Sequence, residues 1–298
     1  MNLLLSSMMS HADPSQVEGL ARFFKTGPGQ YGYGDKFLGI KVPVTREVVK
    51  ECWRDVDFPE LEECICSKYH EVRLAALLTL VEIFRHAKNR SFRASALQDD
   101  NCHSDNSSCH SDGTSCHSER SEESIQSKCV QFYLAHTAYI NNWDLVDLSC
   151  YPLLGEWLLD KDRSLLYDLA RNGKTIWEQR IGIVSTMTFI RHGQLEDTFA
   201  IADILLHHKH DLIHKAVGWL LREAGKRDKD ALERYLIGAD RSFVANAPQD
   251  DNCHSDGTSC HSERSEESVP RYRTMPRTML RYAIEKFPEE ERQFYLAK

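Results

Sequence analysis

The stretch RLAALLTLVEIF, residues 73–84, decides the fold class of this chain. Its apolar residues recur every three or four positions with few polar interruptions, a spacing typical of a buried helix. The same spacing returns in residues 177–190, 200–206 and 215–224. Strand signals are scarce, and no Asn-Gly turn joins two alternating runs. The sequence therefore predicts an all-α protein.

Capping residues predict where several helices begin and end. Thr45 is predicted to precede one helix and Asp57 to open another, because short polar side chains cap helix N-termini. Gly173 and Gly225 are predicted to end helices. Roughly a dozen helices of 10–18 residues follow from these signals, paired at roughly 35–40-residue steps. This organisation indicates either a helix bundle or an α-solenoid of HEAT or armadillo type.

Two polar inserts, residues 90–124 and 241–268, interrupt the helical pattern. Both contain DDNCHSD and end in GTSCHSERSEES, so they are interpreted as a duplicated inserted element. Because they hold almost no apolar residues, we predict disordered surface loops. Their Cys-His pairs could also bind metal adventitiously, although the seven-residue spacing fits no zinc-finger pattern. The cysteines concerned are Cys102, Cys109, Cys116, Cys253 and Cys260.

The net charge of −8 belongs to these inserts. The first holds three Arg against seven Asp and Glu, and the second two Arg against six, so each carries −4. The other 235 residues are neutral; if each insert is counted from its Asp-Asp pair instead, the 253 residues outside the inserts carry +3. A neutral to slightly basic body neither requires nor excludes a nucleic-acid partner.

Composition is ordinary for a globular protein, at 298 residues and 41% hydrophobic. The sequence has no run of 18 apolar residues, and residues 1–10 lack the basic start of a signal peptide. We therefore expect a cytoplasmic protein that does not engage a membrane. Five cysteines lie among apolar residues and are predicted to be reduced core thiols. These are Cys52, Cys64, Cys66, Cys129 and Cys150.

The segment YINNWDLVD, residues 139–147, is the first candidate for chemistry. It is predicted to start a helix, which places Trp143 and Asp147 one turn apart on the same face. An indole beside a carboxylate can hold a sugar ring against a developing positive charge. The ordinary interpretation is a core tryptophan and a solvated aspartate, since Asp is rarely buried without a partner.

Two later helices also pair an indole with a cation. Trp177 and Arg180 lie three residues apart, and Trp219 is flanked by Lys215 and Arg222 at one-turn spacing. Such pairs suit phosphate and sugar contacts, although a core Trp beside a solvated Arg is the more ordinary outcome for each segment alone.

Gly218, beside Trp219, is unusual because a glycine within a helix costs about 1 kcal/mol relative to alanine. It indicates close approach by another helix or by a ligand.

Four arginines crowd residues 271–281, where they are interleaved with Tyr272. A charge run is usually a solvated face, but Arg273 and Arg277 could also grip phosphates.

The sequence lacks the motifs of other common enzyme classes. The sequence has no phosphate-binding loop, no Gly-x-Ser-x-Gly and no His-Glu-x-x-His. The cluster His207, His208, His210 and His214 has no nearby carboxylate or cysteine that completes a metal site. We therefore expect neither a metal nor an organic cofactor.

Four motifs in order resemble the AlkD-like DNA alkylation repair family. They are FLGIKVP at 37–43, NWDLVD at 142–147, WEQR at 177–180 and KAVGWLLRE at 215–223. The resemblance spans about residues 18–296 apart from the inserts. It implies an α-solenoid of HEAT-like repeats, a single curved domain over residues 14–298 with a concave DNA-binding face, and we expect a monomer. It also implies a DNA glycosylase that removes N3- and N7-alkylated purines from duplex DNA without base flipping.

The resemblance assigns roles to particular residues. The family's catalytic aspartate falls on Asp147, its two sugar-contacting tryptophans on Trp143 and Trp219, and its backbone-contacting arginine on Arg180. A tyrosine near the family's N-terminus falls on Phe23, which lacks the hydroxyl.

Tyr31 or Tyr33, in a glycine-rich loop, is a hypothetical replacement for that tyrosine. The second insert precedes the Arg-rich tail, so its acids would weaken DNA binding if it folded over the DNA face.

The mechanism that follows needs no general acid, because a cationic alkylpurine leaves as a neutral base. Asp147 would stabilise the oxocarbenium-like sugar and could position the attacking water. Two other interpretations stay open, a non-catalytic HEAT-like module for damaged or branched DNA and a protein-binding scaffold. Neither requires a carboxylate beside an indole.

Overall fold

The computed structural model describes the backbone of residues 2–99, 116–239 and 269–297. It describes the side chains of the same residues except 91–99 and 116–124. Within these ranges the regular structure is helical, apart from one isolated bridge between Lys36 and Tyr69. The predicted all-α class is confirmed. Across the described part of the chain, none of the helices combines the length and the apolar character that crossing a membrane would need.

The chain forms two compact units, residues 1–157 and 158–298. The helices of the first unit are α1 (Leu3–Ser10), α2 (Val17–Phe23), α3 (Val42–Cys52), α4 (Phe58–Ile65), α5 (His70–Asp99), α6 (Cys116–Ala135) and α7 (Trp143–Cys150). Those of the second are α8 (Ser164–Asn172), α9 (Ile176–Val184), α10 (Met187–Arg191), α11 (Glu196–Ile204), α12 (Asp211–Arg227), α13 (Lys229–Ile237), α14 (Arg271–Thr274), α15 (Arg277–Ala283) and α16 (Glu289–Leu296). The single domain predicted over residues 14–298 stays a prediction.

Helix α5 is the centre of the first unit and packs against α3, α4, α6 and α7. Its apolar positions, among them Leu77 and Leu80, are at most 1% exposed. The first helix also belongs to this core, since Leu4 and Met8 are fully buried and α1 packs on α3 and α5. The compact unit therefore includes residues before position 14, where the sequence placed its start.

Helix α12 has the same central place in the second unit, against α9, α11, α13 and α15. A Cβ atom at Gly218 would lie 2.5 Å from the Met279 carbonyl oxygen of α15. The close approach predicted for this glycine is therefore made by another helix.

Helix boundaries follow some of the predicted signals and not others. Asp57 caps α4 through a hydrogen bond from the Glu60 amide, and Gly173 ends α8, as predicted. Thr45 instead lies inside α3, which starts earlier with Pro43 in its first turn. Gly225 lies inside α12, where a Cβ atom would meet Leu232 at 2.4 Å, so its role is close packing.

The apolar stretch 177–190 is divided into α9 and α10 at Ser185 and Thr186. Both residues are fully buried, and the Thr186 hydroxyl donates a 2.7 Å hydrogen bond to the Ile183 carbonyl. A hydroxyl that bonds the nearby backbone competes with the helical ladder, which explains the break.

The ends of the first insert continue helices, since residues 90–99 belong to α5 and 116–124 to α6. Residues 100–115 and the second insert lie outside the described residues. The predictions of disordered loops and adventitious metal binding, which concern the Cys-His pairs, stay predictions.

The five cysteines predicted to be core thiols form no disulfide with one another. Cys52, Cys64, Cys129 and Cys150 are buried, as expected. Cys66 is exposed because it is the residue that ends α4, so its assignment to the core was wrong.

Replacement of Gly218 by alanine tests the α12–α15 contact. Overpacking costs about 1–3 kcal/mol, against about 1 kcal/mol gained in helix propensity. We expect the free energy of unfolding, measured by urea denaturation, to fall by up to about 2 kcal/mol. Gly19→Ala is the matched control, because a Cβ atom there meets nothing within 4 Å. Equal stabilities of the two variants would contradict the contact.

Candidate active site

The candidate carboxylate and indole stand at the start of α7. The helix begins at Trp143, as predicted, because the Asn142 side chain accepts a 2.9 Å hydrogen bond from the Trp143 amide. Asp147 follows one turn later on the same helix. A wider π-helical turn, Tyr151–Gly155, continues the helix past Pro152, whose ring cannot fit the normal ladder.

Trp143 and Asp147 line one cavity of about 420 Å³ within the first unit. Both side chains are partly exposed, and α7, α2, α5 and the start of α3 contribute to its walls. The walls are largely apolar. Their apolar residues include Leu20, Phe24, Ile40, Val42, Leu74 and Leu148. A carboxylate at such a wall exerts a stronger field than it would in water.

Phe23, which the resemblance aligned with a tyrosine, lies at the same cavity. It is 60% exposed, and its ring meets the Trp143 indole edge-on at 5.9 Å between centroids. Phe24 stacks on the same indole at 5.7 Å. Neither Tyr31 nor Tyr33 lines this cavity, so it offers no support for either as a replacement.

A buried ionic cluster contributes two residues to the cavity wall. His70, 1% exposed, is 2.8 Å from Asp144 through Nε2 and 3.4 Å from Asp35 through Nδ1. Arg73 approaches the same Asp35 carboxylate to 2.7 Å, and Asn141 donates to it at 2.9 Å. His70 and Asp144 both line the cavity.

The cluster changes the proton affinities of its members. Burial lowers the pKa of His70, but hydrogen bonds to Asp144 and Asp35 outweigh burial and raise that pKa to about 9. Burial likewise raises the pKa of Asp35, but the His70 hydrogen bond and the Arg73 charge hold it below its usual value. At neutral pH the cluster therefore contains an imidazolium between two carboxylates.

The FLGIKVP segment is held by a further buried carboxylate, Glu71. Glu71, 2% exposed, accepts hydrogen bonds from the amides of Leu38, Gly39 and Ile40 at 2.9–3.2 Å. Gly39 has φ of 87°, and a Cβ atom there would lie 1.9 Å from the Asp13 carbonyl oxygen. This contact requires glycine and fixes Ile40 at the cavity.

Trp219 lines a separate cavity of about 540 Å³ in the second unit. Arg191, Lys226 and Arg227 share its wall with Glu223, which pairs with Lys226 at 2.7 Å. Three cations against one carboxylate favour an anionic ligand. Sequence reasoning did not single out these three cations, although their positions on α10 and α12 place them near Trp219.

Three predicted DNA-contacting residues of the second unit have protein partners. Arg180 is 6% exposed and donates a 2.6 Å hydrogen bond to the Leu212 carbonyl. Lys215 pairs with Asp211 at 2.7 Å. Arg222 pairs with Glu285. A phosphate would have to compete with these partners. The DNA contacts of Arg180, Lys215 and Arg222 therefore stay predictions.

The arginines of the tail differ in exposure. Arg273 is exposed and lies over the Tyr272 ring at 5.8 Å. Arg277 is exposed and donates to the Leu296 carbonyl. Arg271 is largely buried in a 2.9 Å ion pair with Asp203, so it has a structural role.

The histidine cluster is engaged with protein atoms. His208 Nε2 lies 3.0 Å from Gln179 Oε1, and His214 contacts the His208 carbonyl. Within the described residues, no three His, Cys, Asp or Glu side chains are grouped to hold a metal ion.

Residues 4–287 match the DNA alkylation repair enzyme family. The chain belongs to this family. Its fold resembles that of a predicted DNA alkylation repair enzyme from Enterococcus faecalis, with a TM-score of 0.50 and 13% identity over 78% of this chain and 93% of the other. No curated protein matches the chain. The family resemblance read from the four motifs is confirmed, and with it a role in repair of alkylation damage to DNA.

Sequence reasoning missed three residues that line the candidate site: His70, Glu71 and Asp144. His70 and Glu71 stand in the first turn of α5, where polar residues are ordinarily solvated. Only Asp144 offered a signal, since it lies within the NWDLVD motif itself.

The raised pKa of His70 predicts how stability depends on pH. The folded state binds the proton more tightly than the unfolded state, whose histidine has a pKa of 6.5. The stabilisation is complete below pH 6.5 and is lost as pH rises through about 9. We expect the free energy of unfolding to fall by about 2–4 kcal/mol across this window. Urea unfolding at several pH values measures it.

His70→Gln should lack this loss, because glutamine does not titrate. His11→Gln, at an exposed histidine, is the control and should retain the wild-type pH dependence. A wild-type slope in His70→Gln would contradict the buried imidazolium.

Proposed function

We propose that this protein is a DNA glycosylase that hydrolyses the N-glycosidic bond of N3- and N7-alkylated purines in duplex DNA. The observation that carries the proposal is the joint position of Trp143 and Asp147 on a largely apolar cavity. The family match supplies DNA alkylation repair, and the cavity supplies the chemistry that an alkylpurine requires.

An alkylated purine of this class carries a formal positive charge and leaves as a neutral base. The difficult part of the reaction is therefore the positive charge that develops on the deoxyribose. A carboxylate about 4 Å from that charge is worth about 4 kcal/mol at an effective dielectric constant of 20. This energy corresponds to roughly a thousandfold in rate. Asp147 is the carboxylate for this role.

Aromatic side chains complete the sugar site. The Trp143 indole, held by Phe23 and Phe24, offers a π face that attracts a cationic sugar. Trp219 is proposed as the second sugar contact. The likeness to AlkD-like proteins adds that the damaged base is not drawn into a pocket.

Cations of the second unit are proposed to hold the DNA backbone. Arg191, Lys226 and Arg227 beside Trp219, with the exposed Arg273 and Arg277, give phosphates several positions at which to bind. No metal or organic cofactor takes part in the proposed reaction.

Asp147→Asn tests the catalytic role. We expect release of 7-methylguanine from methylated duplex DNA, followed by chromatography, to slow by about 100- to 1,000-fold because the stabilising charge is lost. Asp160→Asn, at an aspartate whose side chain is 83% exposed, is the matched control and should keep the wild-type rate. Undiminished release by Asp147→Asn would remove this residue from catalysis.

The same assay separates the proposal from its alternative, a non-catalytic HEAT-like module that binds damaged or branched DNA. That alternative predicts duplex binding without base release by the wild-type protein.

Salt titration tests the phosphate contacts. Each phosphate neutralised should add about −0.9 to the slope of log affinity against log salt concentration. We expect a double variant, Lys226→Gln with Arg227→Gln, to reduce the steepness of that slope by about one to two in fluorescence anisotropy with duplex DNA. A slope that does not depend on these residues would place the backbone contacts elsewhere.

A further inference from the structure

Residues 14–34, called the strap, form one wall of the cavity of the first unit. Backbone hydrogen bonds fix this segment at both ends. Just before it, the Asp13 amide donates to the Leu38 carbonyl at 2.8 Å. Just after it, the Lys36 amide donates to the Lys68 carbonyl at 3.1 Å. The strap therefore starts and ends on well-anchored backbone of the first unit.

Between these ends the strap is weakly packed. Its helix α2 contains no buried residue, and in the whole strap only Phe24 and Gly32 are buried. The other walls of the cavity belong to α3, α5 and α7, each of which buries several residues. Segments with few buried apolar contacts open at free energies well below that of global unfolding. The strap is therefore the wall of the cavity that moves most readily.

One aromatic ring, that of Phe24, fastens the middle of the strap. This side chain is 6% exposed and stacks on Phe37 at 5.4 Å between centroids, and the His70 ring lies 4.5 Å away. The same ring stacks on the Trp143 indole at 5.7 Å. Phe24 thus holds the strap closed and supports the indole at the same time. The indole has this support only while the strap is closed.

The C-terminal part of the strap has the backbone freedom that movement requires. Residues 27–34 read GPGQYGYG. Gly29 and Gly34 have φ of 74° and 94°, and a Cβ atom at either would meet nothing within 4 Å. These glycines therefore serve backbone conformation and not packing. Lys25, beside Phe24, has φ of 56°, which residues with a side chain rarely adopt, so the closed backbone is strained next to the fastening ring.

Closure of the strap suits the chemistry proposed for Asp147. The strap contributes Leu20, Phe23 and Phe24 to the cavity wall, and all three side chains are apolar. Over a bound deoxyribose they displace water, and a carboxylate acts more strongly on a charge from which water is excluded. An open strap admits the sugar and exposes the carboxylate to solvent.

We propose that the strap is a lid of the sugar site, which opens when Phe24 leaves Trp143 and closes over the damaged nucleotide. Its role rests on the proposed glycosylase function, to which it adds the conformational step that precedes base release. No covalent bond forms or breaks in this step. Phe24 is a positioning residue, because it acts on the sugar through the Trp143 indole.

Hydrogen exchange of the wild-type protein, followed by mass spectrometry, tests the lid without any substitution. We expect the peptide that covers residues 17–26 to exchange about tenfold or more faster than peptides of α3 and α7, because the strap opens locally. A duplex with tetrahydrofuran in place of one nucleoside should slow this exchange about tenfold, since closure over the sugar removes the open state. The same duplex without the analogue is the matched control and should slow it much less.

Phe24→Leu tests the shared ring. Leucine keeps the position apolar but has no ring to stack on Trp143. We expect exchange of residues 17–26 to accelerate about tenfold. Single-turnover release of 7-methylguanine should slow about tenfold, within the loss of about 100-fold that a small misplacement can cause.

Affinity separates this positioning role from a general loss of structure. Binding of Phe24→Leu to undamaged duplex should change by less than about twofold, because phosphate contacts dominate it. Phe294→Leu, at a phenylalanine of the second unit that is 61% exposed, is the matched control and should keep the wild-type exchange and rate.

Three results would overturn the lid. They are exchange of the strap as slow as that of α3 and α7, exchange that both duplexes slow equally, and unchanged base release by Phe24→Leu once its strap exchange is accelerated. Each leaves the glycosylase proposal intact if the wild type releases base. A wild type that releases no base refutes the proposed function and the role of the lid together. If Phe24→Leu does not fold, the exchange of the wild type still decides.

Discussion

The hydrogen bond from His70 to Asp144 joins the first turn of α5 to the first turn of α7. Helix α5 is the centre of the first unit, and α7 presents Trp143 and Asp147 to the cavity. Because these two helices start at the same buried ion pair, the position of the candidate catalytic pair depends on it. A shift of either helix would separate two buried charges, and each would then lack both its partner and hydration by water.

Burial of this ion pair costs free energy, because both charged groups lose their hydration. A charge removed from water is tolerated only when partners replace the lost hydration. Asp35, Arg73 and Asn141 provide such partners around His70. The cluster thereby permits an apolar cavity to contain carboxylates. A carboxylate in such surroundings exerts a field that is weakened less than it would be in bulk water.

The cavities of the two units differ in their chemistry. The first unit offers carboxylates and aromatic rings, which suit a cationic sugar. The cavity of the second unit has three cations beside Trp219, which suit phosphates.

The sequence alone determined the class of the fold, because apolar spacing along one chain is a local property. It also identified the start of α7, where Asn142 caps the helix, and the close packing at Gly218, since only glycine permits such an approach. The indole and carboxylate of NWDLVD followed from helical spacing, so Trp143 and Asp147 were predicted to share a face.

Tertiary structure alone decided which polar residues are buried and paired. His70 and Glu71 precede an apolar run like many solvated helix starts, and no spacing rule reveals that His70 meets Asp144, 74 residues later. Gly225 was taken for a helix end, although its small size serves packing against Leu232. These outcomes depend on which helices pack together, and that choice is made by side chains far apart in the chain.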